Sequence, residues 1–411
     1  MLLAFVACGG LTAAWLLELG LPRAASLAGG VVFALAPYRV AQSTEHLLGL
    51  IAFLIPLALL GLERGKRGRY VWLAIGVASA TSIPLSGQVH LALAAVPFAA
   101  AYALWRGMVW TAAAVFVASG AAGLLVYETL ITTSTESQGR TLAEVSRYSA
   151  EPLDFLSRTT SNGIERVVFV GWLTALLALV GLALILRLRR FDLAALLGLA
   201  ALLPIALALG THLPAYDWLW RHVEPFRFPR VPERLLPVAA LALAALVALA
   251  LASIRRQWIA VAALPLLALD LWIGAFGASA ADPANPAYTA LDGRPPGRVL
   301  DVPVFQPERY LGSVYLEYAP QAPRERPGGY STLAPPVAER TLHRLRPLNC
   351  GADRARLLRR LGVRYFVLHR PLFAADGIAA CEGRAARAID AAGFRRATSD
   401  ADTVLYTRSD G

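Results

Sequence analysis

The sequence predicts a polytopic α-helical membrane protein with about ten transmembrane or partly spanning helices, followed by a C-terminal extracytoplasmic α/β domain. Three observations carry this expectation. Of the 411 residues, 57% are hydrophobic and only 16% charged, whereas about a quarter of a soluble domain is charged. Several apolar stretches approach or exceed the roughly 18 residues that cross a bilayer. From Asp282 onward the long apolar runs stop, and short strand-like and helix-like patterns alternate instead.

The apolar segments run over 2–19, 24–37, 46–62, 70–85, 88–105, 108–130, 166–187, 191–210, 234–254 and 257–276, and make up a membrane domain over 1–276. The loops set their orientation, because short cytoplasmic loops are enriched in Lys and Arg. "ERGKRGR" (63–69), Arg106, "RLRR" (187–190) and "RR" (255–256) are compact and basic, which places them in the cytoplasm. Residues 86–88, 131–165, 211–233 and everything after about 277 alternate with them, and so fall outside. Carried back, the alternation puts Arg23 inside and Met1 outside. That arrangement leads us to expect an odd number of helices upstream of this chain; the alternative is unaided insertion of 2–19 with its N-terminus out.

The formal net charge is +11, and Lys66 is the single lysine. No aromatic-interleaved basic groove appears and much of the charge sits beside apolar segments, so the balance points to topology and not to nucleic acid. Cys8, Cys350 and Cys381 form no CxxC or Cys/His spacing, which argues against a zinc site. No positively charged n-region precedes the first apolar run, so nothing resembles a cleavable signal peptide.

The domain over 277–411 begins with a Pro/Gly-rich linker, "DPANPAYTALDGRPPG". "RVLDVPV" (298–304), "VRYFVLH" (363–369), "FRRAT" and "TVLYTR" read as strands. "PERYLGSVYLEYA", "PVAERTLHRLRPL", "ADRARLLRRLG" and "GIAACEGRAARAIDAAG" read as helical, and the mixture predicts a small α/β domain. Cys350 and Cys381 both fall there, as a disulfide or as two buried thiols.

Ionisable groups near membrane depth are costly, and are functional candidates by default. Here they gather at the predicted outer face: Arg39, Glu45 and His46 between the second and third segments, Gln88 and His90 at the start of the fifth, and Arg227, Arg230 and Arg234 at the mouth of the ninth. Arginine suits phosphate because its planar fork donates two parallel hydrogen bonds and keeps its charge when partly dehydrated. Prolines 225, 229 and 232 are expected to hold the backbone extended between these arginines. Phosphate at headgroup depth points to a polyprenyl-phosphate carrier.

These residues lie in stretches with a family resemblance. "GGVVFALAPYRVAQSTEHLLGLIAFLIPLALLGLERG", "RTLAEVSRYSAEPLDFL" (140–156), "PFRFPRVPERLLPVAALAL", "RPGGYSTLAPP" and "LGVRYFVLH" resemble segments of GT-C-type bacterial membrane glycosyltransferases and their YfhO-like relatives. The resemblance implies an inverting sugar transfer, from a polyprenyl-phosphate-linked donor to an envelope glycan or protein acceptor, on the outer face of the bacterial inner membrane. In that family the catalytic acid usually lies in the first outer loop. This chain carries no such loop and looks as if it lacks the family's N-terminal helices. Glu45 is then the surviving candidate for the base that takes the acceptor proton, with Arg39, His46, Gln88, His90, Arg227, Arg230 and Arg234 as substrate-binding candidates. The residues themselves predict no cofactor; a divalent metal enters only by analogy with the family. The alternatives are a non-catalytic or truncated relative acting as a lipid-sugar transporter, or an envelope scaffold.

Overall fold

The computed structural model describes residues 2–134, 139–158, 166–273, 282, 284–331 and 333–408, with the backbone alone at Thr44 and Glu45. Two compact units emerge, one from Met1–Thr129 with Gln138–Gly277 and the other from Leu130–Ser137 with Ala278–Gly411.

The first unit holds α1 (Leu2–Glu18), α2 (Arg23–Ala34), α3 (Pro37–Glu45), α4 (Leu47–Ile51), α5 (Leu54–Lys66), α6 (Tyr70–Leu85), α7 (Val89–Trp105), α8 (Val109–Val126), α9 (Leu142–Tyr148), α10 (Trp172–Arg187), α11 (Phe191–Ala208), α12 (Pro214–His222), α13 (Leu236–Ala252) and α14 (Gln257–Asp270). Among the described residues, four stretches are long and apolar enough to cross a membrane: Leu47–Lys66, Val109–Ile131, Phe191–Ala208 and Pro232–Ala252. A fifth is split. α2 and α3 bend by 50° at their junction, because Pro37 cannot continue the hydrogen-bond ladder of α2. The segment expected over 24–37 corresponds to α2, and the stretch expected to connect it to the next segment continues as the helix α3. Five shorter apolar helices, α1, α6, α7, α10 and α14, complete the set.

α13 is the hub. It is apolar all round, as a helix enclosed by others must be, and it packs against α2, α10 and α11. Small residues let backbones approach where apolar burial alone cannot drive association. A Cβ on Gly181 of α10 would lie 2.1 Å from the Leu246 carbonyl oxygen of α13. Gly61 and Gly76 perform the same task between α5 and α6, where a Cβ on Gly61 would come within 2.6 Å of Gly76 Cα.

One end of this unit is laced with ion pairs. Glu18 of α1 meets Arg64 at 2.8 Å and Arg67 at 2.5 Å, and the fully buried Glu63 meets Arg106 at 2.6 Å. Trp15 Nε1 donates to the Tyr102 hydroxyl (2.8 Å), which in turn donates to Glu63 (2.5 Å). Trp105 Nε1 donates to Asp192 at 2.7 Å. The basic residues in the 63–69 and 106 turns thus meet at one end of the helices, as the alternation of loops requires.

The second unit contains α15 (Pro286–Asp292), α16 (Ser313–Tyr318), α17 (Pro336–Leu345), α18 (Ala355–Arg360), α19 (Arg370–Ala375) and α20 (Glu382–Ala391) around β1 (Arg298–Val302), β2 (Val363–His369), β3 (Phe394–Ser399) and β4 (Thr403–Arg408). The sheet order is β1-β2-β4-β3, with β1 parallel to β2 and the other pairs antiparallel. Successive side chains alternate across a sheet, and both faces are covered. Leu300, Phe366, Leu368 and Val404 pack with Leu342, Leu358, Phe373 and Ile389, while Val299, Tyr365, Val367 and Leu405 pack with Ala287, Tyr288 and Leu291. On the latter face the buried Asp301 accepts from the Tyr288 hydroxyl (2.5 Å) and from Arg326 Nε (3.1 Å), and His369 Nε2 lies 2.8 Å from the same hydroxyl. Burial, and then the charge of Asp301, push the Tyr288 hydroxyl well above its ordinary pKa. The arginine of "RPGGYSTLAPP" is thereby a partner of a core carboxylate. Cys350 and Cys381 form a disulfide, with Cα atoms 4.6 Å apart.

Candidate functional site

At the other end of the first unit, the loop 139–158 and the stretch 208–235 are built as one platform. α9 starts with a capping box, in which the Thr141 hydroxyl accepts from Glu144 N–H at 3.3 Å and the Glu144 carboxylate accepts from Thr141 N–H at 2.8 Å. Burial pushes the Glu144 carboxyl up, but Thr141, Arg140 and Arg230 together hold it below its ordinary value. α9 then hands the chain to the end of α11. Ala150 N–H donates to Ala208 O (3.0 Å), Thr211 N–H to Ser149 Oγ (3.1 Å), and His212 Nδ1 lies 2.9 Å from Ala150 O. Gly210 is required here, since its φ is +48° and a Cβ would sit 2.0 Å from Ser149 Oγ. On the other side Arg140 N–H donates to Arg227 O (2.7 Å) and Trp220 Nε1 to Arg140 O (3.1 Å). The described part of the long loop, residues 139–158, is thus folded structure, as long loops often are when functional.

Four predicted residues converge here, in two pairings with α13's entrance and a third with α9. His46, directly after α3, lies with its Nε2 3.4 Å from Nη2 of Arg234, 188 positions later. Val231 N–H donates to Nε2 of His90 at 3.3 Å. The Arg230 guanidinium stands over the Tyr148 ring at 5.1 Å. In these geometries both imidazoles accept at Nε2, so each carries its proton on Nδ1 when neutral.

The other four candidates make different contacts or are described only in part. Arg39, expected at a ligand, is completely buried. Its Nε donates to Phe33 O (3.1 Å), its Nη1 to Gly49 O (3.3 Å), and its guanidinium covers the Phe5 ring at 4.2 Å. The cause is the broken helix: carbonyls released at the α2–α3 bend need new donors in an apolar setting. Arg227, also expected to reach outward, folds back. Its Nε and Nη2 donate to the Trp220 and Arg221 carbonyls at 3.2 and 2.7 Å, closing the last turn of α12. The prolines do not hold this stretch extended. Glu224–Arg227 and Pro232–Leu235 are 3₁₀ turns, because Pro at the first position of a turn fixes a helical φ as readily as an extended one. Gln88 is half-buried just ahead of α7. Glu45 is the last residue of α3, immediately before His46, and its side chain lies outside the described residues.

Two residues of the platform were absent from the sequence-based set. Glu233 is fully buried between Pro232 and Arg234, and Tyr216 of α12 is buried nearby. Burial, then the charge of Glu233, raises the Tyr216 hydroxyl above its ordinary value. The "PER" tripeptide carried a readable signal, an acid wedged beside a proline at the entrance to an apolar helix. Among the described residues, no three His, Cys, Asp or Glu side chains come together to hold a metal ion, so the divalent ion implied by the resemblance has no ligand set there. The chain matches no family model and no curated protein.

Proposed function

We propose that this is a membrane glycosyltransferase of the bacterial inner membrane, which binds a polyprenyl-phosphate-linked sugar at the platform end of its helices and passes the sugar to an envelope acceptor on the outer face. The observation that carries this reading is the meeting of His46 with Arg234 and of His90 with Val231 at the entrance to α13. Residues from three separate helix ends meet there, and a lipid-linked phosphate at headgroup depth would reach them if this end faces the outer leaflet. Arg230 and Arg234 would grip the phosphate, His46 and His90 would fix the α13 entrance, and Glu45 would take the proton of the attacking hydroxyl. About ten helices would span or partly span the bilayer, with the ion-paired end in the cytoplasm and the α/β unit outside. A disulfide in that unit fits an oxidising compartment.

A transporter reading is less well supported. Among the described residues the longer apolar helices carry their charges in the first or last turn, as Glu18, Glu63, Arg187, Asp192 and Asp270 do. Charge inside a span is confined there to Arg39 of the broken helix, which is held by the Phe33 and Gly49 carbonyls.

Binding of a polyprenyl-phosphate analogue to the full chain tests the grip. Arg→Lys keeps the charge but loses the two-pronged geometry, and a hydrogen bond to a charged group is worth about 1.5–3 kcal/mol. Arg230→Lys or Arg234→Lys should weaken binding roughly ten- to a hundredfold, while Arg227→Lys, engaged with carbonyls, leaves it unchanged. Wild-type binding by all three variants would sink the phosphate site. For catalysis, Glu45→Gln should bind the analogue and fail to transfer sugar; transfer at the wild-type rate removes Glu45 from the mechanism.

A further inference from the structure

Between Arg340 and Arg364 the chain holds eight arginines and one acidic residue, Asp353. Nothing in the reading above uses them. The helical register makes the crowding deliberate. Arg340 and Arg344 are four apart on α17, and Arg356 and Arg360 are four apart on α18, so each helix sets two like charges on one face, an arrangement that costs stability. The single acid offsets only one of the eight charges, and its carboxylate accepts from Ala355 N–H at 2.8 Å at the start of α18. Arg354 ties the two helices together by donating through Nε to Arg344 O at 2.7 Å. The turn between them, Arg346–Cys350, is anchored to the start of α20 by the Cys350–Cys381 disulfide. The result is an open groove of about 290 Å³ lined by Arg344, Arg354, Arg356, Leu357 and Arg360.

We propose that this groove binds a linear polyanion, a polymer carrying phosphate or carboxylate groups along its length. An open channel with guanidinium groups on both walls suits a chain of charges better than one enclosed ion. A bilayer surface fits less well, since among the described residues of 340–364 no large hydrophobic side chain is exposed to insert between lipids. If the α/β unit lies outside, as proposed above, anionic envelope polymers are the natural partners. The binding itself does not depend on sugar transfer, so the two readings can fail separately.

The test uses the full chain in nanodiscs of neutral lipid, with inorganic polyphosphate as probe and alginate in parallel to tell phosphate from carboxylate. Binding of either polymer supports the site. Four guanidiniums, at roughly 0.7 counterions released per charge neutralised on a flexible polyanion, give a slope of log K against log salt of about −3. The double variant Arg356→Gln/Arg360→Gln should bring the slope to about −1.4, whereas Arg356→Lys/Arg360→Lys keeps it. Arg395→Gln/Arg396→Gln removes the same charge from exposed positions of β3 and should change nothing. Equal losses in the two glutamine variants would mean that net charge, and not the groove, does the binding. Absence of binding to either polymer at 50 mM salt, or preference for anionic phospholipid vesicles over both, would also overturn the proposal.

Discussion

Removing the Cys350–Cys381 bridge, by the double substitution Cys350→Ala/Cys381→Ala, is expected to loosen the α/β unit by a calculable amount. The bridge closes a loop of 31 positions. A cross-link stabilises chiefly by restricting the unfolded chain, and the chain-entropy relation gives about 3.7 kcal/mol for a loop of this length. Measured bridges typically contribute about 2–4 kcal/mol. β2 lies between β1 and β4 in the sheet, so its amides exchange only when the unit opens. Hydrogen exchange at Tyr365–Leu368 should therefore accelerate by about 30- to 700-fold in the double variant, at 1.4 kcal/mol per decade. A change of less than about threefold, with the absence of the disulfide confirmed by mass, would refute the reasoning. It would show that the core around Phe366 and Phe373 fixes the two segments without the link.

Three further outcomes can be checked on the full chain in detergent. Gly181→Ala should push α10 off α13 and lower the melting temperature by the equivalent of about 1–3 kcal/mol, while Gly10→Ala, with open space around it, should not; equal melting of the two would contradict the packing. His90→Phe removes the acceptor for Val231 N–H in a buried position, at a cost of about 1–3 kcal/mol, and an unchanged melting temperature would show that the amide finds another partner. The third concerns pH. The folded Glu144 carboxyl titrates below its ordinary value, so its contribution is complete above the unfolded pKa of roughly 4.3 and is lost as pH falls through the lower folded value. The stability gap between wild type and Glu144→Gln should therefore shrink from pH 6 towards pH 3, and a constant gap would remove Glu144 from the capping of α9.

The apolar elements were legible because a long, nearly uncharged apolar run can satisfy its backbone groups within itself only as a helix. The segment expected over 70–85 is α6 (Tyr70–Leu85), and those over 88–105 and 191–210 match α7 and α11 within two residues. The strand read in "VRYFVLH" is β2 over Val363–His369, because a short apolar run rich in Val and aromatics between Gly362 and Pro371 has little choice but a covered strand. The helix α3 was missed for an equally physical reason. Its sequence, PYRVAQSTE, is polar, so hydropathy marks it as a connection between apolar segments.

The polar end shows where sequence reasoning stops. Residue type and loop position were enough to gather His46, His90, Arg230 and Arg234 at one end of the helices, because alternation along the chain fixes which end each occupies. They were not enough to say which way an arginine points. Arg39 and Arg227 carry the same guanidinium as Arg230 and sit in equally proline-rich settings, yet both turn to main-chain carbonyls. What separates them is the local supply of unpaired acceptors. Arg39 stands at a broken helix and Arg227 lies just beyond the end of α12, and each such end leaves carbonyls without intrahelical partners. Arg230 stands at the end of α9, where the Ser149 hydroxyl already donates to Val145 O at 2.8 Å, and it meets the Tyr148 ring instead. An arginine near a helix end is therefore first a cap for that end, and it becomes a candidate for a ligand only where the end is already closed by something else. Here Arg227 itself closes α12. On the proposed reading, that closure is what leaves Arg230, three residues on, to meet the phosphate.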